Sequence, residues 1–98
     1  MKIIIKGRKM GKTNELIQRA IETGAVIVTH CFAEQRRIEE RLSELPFPYL
    51  SKVMTFADFV VWRGRGLERP YVIDNLDLCL QQFAGRNKIL AVTFTEDK

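Results

Sequence analysis

The residues best equipped for chemistry stand at the start of the chain. Gly7-Arg8-Lys9-Met10-Gly11-Lys12-Thr13 follows an apolar run, Ile3-Ile4-Ile5, and precedes a helical pattern that begins at Asn14. Glycines have no Cβ, so backbone N–H groups can turn inward onto an anion. The first turn of the following helix adds unpaired N–H groups and the positive end of its dipole. A lysine at position 12 would neutralise phosphate charge, and a threonine hydroxyl at position 13 would help to hold Mg²⁺. The expected phosphate-binding set is therefore Gly7, Arg8, Lys9, Met10, Gly11, Lys12, Thr13 and Asn14. The ligand would be ATP or another nucleoside triphosphate with Mg²⁺. The spacing departs from the usual loop, which places four residues between its glycines. Here there are three, and Lys6 stands where the first glycine would be. The structural alternative is a glycine-rich turn from strand to helix with incidental surface lysines.

A second set lies far downstream. Tyr71-Val72-Ile73 is a short strand pattern that ends in Asp74. At the carboxyl end of a parallel strand beside the loop, that carboxylate would hold Mg²⁺ together with Thr13. Lys12 and Asp74 are thus the expected catalytic pair, and Thr13 and Asp74 the expected metal ligands. Strands also end in Asp for turn reasons, so the pattern gains weight only from its partner upstream. The next residue is Asn75, whose amide cannot take a proton from water at neutral pH. Asp77, three residues past Asp74, could swing toward the site, although its helix position favours another direction. Binding with slow basal hydrolysis is expected, unless a partner supplies groups.

Other polar residues have competing readings. Arg63, Arg65 and Arg69 project from a loop that also holds Gly64 and Gly66. They suit a nucleic-acid backbone or a neighbour's nucleotide, or they merely keep a connector soluble. Thr93 or Thr95 stands where a γ-phosphate sensor could lie. His30, at the end of an apolar run, faces a nucleotide or is simply hydrogen-bonded.

Several elements must position these groups. Residues 1–6 read as a buried strand. Residues 14–23 read as a helix with Leu16, Ile17, Ala20 and Ile21 inward and Gly24 as its stop. Residues 25–30 lack polar alternation, as a strand covered on both faces requires. A second helix spans 31–45, with Ile38, Leu42 and Leu45 at helical spacing, and prolines at 46 and 48 break it. Its arginines could touch nucleic acid, but their interleaving with glutamates favours a self-paired, solvated face. A weaker strand spans 49–54. Thr55 would cap a short helix, Phe56–Trp62, with Phe56, Phe59 and Val60 inward. A fourth strand covers 71–74. A helix over 75–84 turns Leu76, Cys79, Leu80 and Phe83 inward and stops at Gly85. A fifth strand covers 89–94. The expected fold is α/β: a three-layer core of about five mainly parallel strands with helices on both faces. The 89–94 strand is expected between the first strand and the 71–74 strand.

Composition sets the outer bounds. The chain has 98 residues and is read as one minimal nucleotide-binding domain. At this length roughly two-thirds of the extended surface can be buried, enough for one core. A net charge of +4 suits phosphates, in a nucleotide or a polynucleotide. Cys31 and Cys79 are far apart and sit in apolar runs, so reduced thiols in the cytoplasm are expected. No apolar run approaches a membrane span, and no signal peptide is expected.

Gly-Arg-Lys-Met-Gly-Lys-Thr together with Tyr-Val-Ile-Asp-Asn-Leu-Asp resembles the Walker A and Walker B signatures of the P-loop NTPase superfamily, in its RecA/helicase-like branch. Over nearly its whole length the chain is similar to small single-domain P-loop ATP-binding proteins of bacteriophages and prophages. The resemblance implies an ATP-binding protein with weak or partner-dependent ATPase activity in phage DNA metabolism or packaging. It implies DNA or a phage or host DNA-processing protein as partner, and a place in the host cytoplasm. Short stretches also resemble thymidine kinase and terminase loops. The zinc-binding cysteines of the first and the nuclease domain of the second are missing, so neither activity carries over. The alternative is a non-catalytic nucleic-acid or protein-interaction module that uses the three loop arginines.

Overall fold

Four consecutive apolar or small residues, Val26-Ile27-Val28-Thr29, form β1 (Val26–Thr29), and all four are buried. Their place in the sheet explains why. β1 lies between β2 (Val53–Thr55) and β3 (Tyr71–Ile73), and both pairings are parallel. A computed structural model describes residues 12–45, 52–62, 70–93 and 95, with only the backbone of Lys12 and Trp62. The expected first strand at residues 1–6, the loop residues Gly7 to Gly11 and the arginines Arg63, Arg65 and Arg69 lie outside the described residues.

The register is set by short backbone bonds on either side of β1. Ile27 N–H donates to the Lys52 carbonyl at 2.8 Å, and Val26 N–H donates to the Pro70 carbonyl at 2.9 Å. Asp74 N–H donates to the Val28 carbonyl at 2.8 Å, which extends the β1–β3 ladder to the carboxyl edge. Parallel neighbours need a crossover. α2 (Phe32–Ser43) links β1 to β2, and α3 (Phe56–Trp62) lies between β2 and β3.

Side-chain alternation divides the sheet into faces. Ile27 stands opposite Val53 on one side and Val72 on the other, forming one apolar row. Ile17 and Ala20 of α1 (Lys12–Thr23) cover that row together with Ile38 and Leu42 of α2. Leu16, Ile21 and Leu45 pack at its border. These are the stripes expected from helical spacing. Burying each of the large aliphatic chains is worth about 1.5–3 kcal/mol.

The stops and caps follow from local chemistry. Gly24 ends α1 at φ +70, a conformation that L side chains resist, and its N–H donates to the Ala20 carbonyl at 2.8 Å. Thr55 Oγ1 accepts the Asp58 N–H at 3.2 Å and caps α3, as its position predicts. α4 (Leu76–Ala84) begins after Asn75, which is itself left-handed at φ 53. Gly85 closes α4.

The expected five-stranded, three-layer core is corrected. Among the described residues the sheet has three strands, in the order β2-β1-β3. Residues 88–93 form no strand, and Leu90 and Val92 are exposed, at 88% and 54%. The 89–94 strand, and its expected place between two others, therefore fall. Gln81 supplies a physical reason. Its amide nitrogen donates to the Asn87 carbonyl at 2.9 Å, while its Oε1 accepts the Ile89 N–H at 3.2 Å. The start of the segment is thereby tied to α4 through groups that a ladder would otherwise use. An apolar run supplies strand propensity, but pairing depends on where tertiary contacts lead the chain.

Two smaller differences concern elements that do form. Of the strand expected over 49–54, residues 49–51 lie outside the described residues, and β2 covers Val53–Thr55, one residue past the expected end. Phe83, expected to face inward, is 67% exposed, although Cys79 on the same helix is buried.

Candidate functional site at the carboxyl edge of the sheet

The three parallel strands end on one edge, and their last residues are polar or lead into polar ones. β1 ends at Thr29 and passes to His30, β2 ends at Thr55, and β3 passes to Asp74 and Asn75. From β1 the chain goes first to one neighbour and later to the other. That reversal makes the crevice beside β1 and β3 a topological switch point, where open α/β sheets take ligands.

Asp74 is buried, with 1% of its surface exposed. β3 delivers it to the edge, and its N–H remains in the ladder. Thr13, in the first turn of α1, donates its hydroxyl to Asp74 Oδ2 at 3.1 Å. The Asn75 side-chain amide approaches the same oxygen at 3.4 Å. The structure thus joins Thr13 to Asp74, two of the residues singled out from sequence. Asn14 is exposed on α1. Lys12 opens α1, with its side chain outside the described residues.

Thr13 Oγ1 and Asp74 Oδ2 are hard oxygens of the kind that could hold Mg²⁺. Mg²⁺ prefers octahedral geometry at 2.0–2.1 Å, which puts adjacent ligand oxygens about 3 Å apart. Thr13 Oγ1 and Asp74 Oδ2 stand 3.1 Å apart. Mg²⁺ is usually held by one or two carboxylates plus substrate phosphates rather than by an all-protein cage. No group of three or more His, Cys, Asp or Glu gathers among the described residues.

Cys79 closes this corner from behind. Its Sγ lies 3.6 Å from the Asp74 carbonyl oxygen. Burial first, then the Asp74 and Asp77 carboxylates, pushes its thiol up to about 11. At neutral pH it is a protonated, weakly polar wall rather than a nucleophile. Neither Cys79 nor Cys31 is in a disulfide. Asp77 is exposed on α4. Thr93 and Thr95 are exposed and belong to no strand, so the sensor role expected of one of them has no element to place it.

Helical spacing assigned Phe56 and Phe83 of this edge to the core and gave Phe32 no role. A cavity of 310 Å³ is lined by His30 and Phe32 after β1, Thr55 at the end of β2 and Phe56 after it, and Gln82 and Phe83 on α4. Phe56 and Phe83 meet edge to face, with centroids 6.1 Å apart. A sequence signal existed: an aromatic follows the end of β1 within three residues and the end of β2 at once.

No family model, curated protein or solved structure matches this chain. The resemblance to the P-loop NTPase superfamily and its small phage and prophage members is corrected accordingly. With it fall the Walker, ATP-binding, hydrolase and bacteriophage labels as statements of kinship. Glycine–lysine–threonine after an apolar run, and an apolar run ending in Asp, are short-range patterns. They specify a few backbone groups and leave the size of the sheet open, and the described sheet has three strands. Among the described residues no helix is long and apolar enough to cross a membrane.

Proposed function

We propose that the chain binds a magnesium–nucleoside triphosphate, ATP foremost, at the corner where α1 meets the end of β3. Hydrolysis there is slow or depends on a partner. The 3.1 Å approach of Thr13 Oγ1 to Asp74 Oδ2 carries this reading. It brings a hydroxyl and a carboxylate from opposite parts of the sequence to the separation of neighbouring Mg²⁺ ligands. Thr13 and Asp74 hold the ion, and the bound ion would offset phosphate charge. Arg8, Lys9 and Lys12 stand close before Thr13 in the sequence and supply positive charge that suits phosphates.

Asn75 explains the slow turnover. It occupies the position next to the carboxylate, and its amide donates toward Asp74 instead of accepting a proton from water. The free thiols Cys31 and Cys79 agree with a reducing, cytoplasmic setting. DNA or a DNA-processing protein is the proposed partner class, since a net charge of +4 favours phosphate-bearing surfaces.

Thermal unfolding with Mg-ATP, Mg-ADP and Mg-GTP tests the reading. Ligand at about a hundred times its Kd should stabilise the fold by about 2.7 kcal/mol. Lys12→Ala and Thr13→Val should each abolish most of that gain. A wild-type protein indifferent to millimolar Mg-ATP overturns the proposal. Salt-sensitive DNA binding that ignores ATP would instead support the non-catalytic interaction module.

A further inference from the structure

We propose that the 310 Å³ cavity between the ends of β1 and β2 and the outer side of α4 takes a nucleobase, a neutral planar ring with a hydrogen-bonding edge. The proposal rests on the triphosphate reading, because it supplies that ligand's other half.

Four observations converge on the ring. The first is size: 310 Å³ stands at the small end of ligand pockets. The second is the wall. Phe56 and Phe83 meet edge to face across 6.1 Å, and Phe32 lines the same space. Phe32 and Phe83 are 62% and 67% exposed, although each would gain by being covered. A flat ring laid on them removes that apolar surface from water.

The third is the polar inventory. His30, Thr55 and Gln82 supply an imidazole, a hydroxyl and an amide. His30 Nδ1 is shut off from water and has no hydrogen-bond partner among the described residues. The Thr55 oxygen already accepts the Asp58 N–H, so its own proton is left to donate. Among the described residues no Asp, Glu, Lys or Arg lines the cavity, which suits a neutral base edge. The fourth is position. Cys79 lines the cavity on one side and contacts the Asp74 carbonyl at 3.6 Å on the other. Ring and phosphates would therefore lie along one carboxyl edge, with Cys79 touching both the cavity and the Asp74 backbone.

The ring could belong to a free nucleotide or to an unpaired base of a single strand, since both present the same face and edge. Isothermal titration separates the sources. The probes are adenosine, Mg-ATP, Mg-tripolyphosphate and a short oligothymidylate, each on wild type, Phe83→Ala and Gln82→Leu. Phe83 and Gln82 are exposed, so both variants should fold, and a thermal melt checks this.

The expected result is that ATP binds about tenfold tighter than tripolyphosphate. Phe83→Ala should erase that margin, weaken adenosine to a similar degree and leave tripolyphosphate unchanged. Oligothymidylate binding that depends on Phe83, with adenosine and ATP insensitive to it, upholds the base pocket and assigns the ring to a strand. Adenosine binding without tripolyphosphate binding upholds the pocket and overturns the triphosphate reading. Tripolyphosphate as tight as ATP, with every probe indifferent to Phe83 and Gln82, overturns the pocket and leaves the triphosphate reading standing.

Discussion

Thr13 and Asp74 are 61 positions apart in the chain, yet the hydroxyl of one donates to the carboxylate of the other at 3.1 Å. The bond joins the first turn of α1 to the end of β3, so it fastens a helix to the sheet edge as well as shaping the proposed metal corner. Hydrogen bonds to charged groups contribute about 1.5–3 kcal/mol. In chemical denaturation without ligand, Thr13→Val and Asp74→Asn should each lower stability by an amount of that order. The double variant should cost less than the sum, by about 1 kcal/mol. Strict additivity would show that the two side chains do not meet in solution.

Asn75 is left-handed at φ 53 and ψ 55, a conformation that asparagine and glycine tolerate best. Asn75→Gly should keep stability within about 1 kcal/mol, whereas Asn75→Val should lose about 1–2 kcal/mol to backbone strain. Asn75→Glu would set a second carboxylate beside Asp74, so the free protein should lose stability. With Mg-ATP its basal turnover should rise if a proton acceptor is what the site lacks. Intact binding with unchanged phosphate release would discard that account of slow turnover.

Cys79 makes the chain sensitive to alkali. Its thiol titrates at about 11 in the fold, against an ordinary value of 9.0. The folded state holds this proton more tightly than the unfolded chain does. The stabilising contribution is therefore complete below pH 9 and is lost as pH rises toward 11, to the extent of about 1–3 kcal/mol. Denaturation midpoints between pH 8 and pH 11 should fall more steeply for wild type than for Cys79→Ala. Thiol labelling at neutral pH should mark Cys31, which is partly exposed, well before Cys79.

Ile27 is fully buried and faces both Val53 and Val72 across the ladders. Ile27→Ala would open a cavity at the centre of the row that α1 and α2 cover, at a cost of about 2–5 kcal/mol. Ile27→Val should cost about 0.5–1.5 kcal/mol. Urea midpoints check both. An Ile27→Ala variant as stable as wild type would mean that the row is not the core.

The elements that were legible in the sequence are those decided within a few residues. The inner stripe of α1, the Gly24 stop and the Thr55 cap each depend on spacing or on one backbone conformation, and helical geometry fixes their consequences. The unbroken run at Val26–Thr29 announced a strand buried on both faces, because polar residues there would have no water. A carboxylate at the end of β3 could be read in the same way.

Tertiary structure alone decided how far the sheet extends, which residues meet and which aromatics stay uncovered. Residues 88–93 have a strand's composition but leave α4 through bonds to the Gln81 amide. Phe83 has helical spacing with Cys79, yet stands at the open side where a neighbouring element would be needed to bury it. Local pattern sets what each segment can bury or bond. The partners come only from the path of the rest of the chain, and for Thr13 that path brought Asp74.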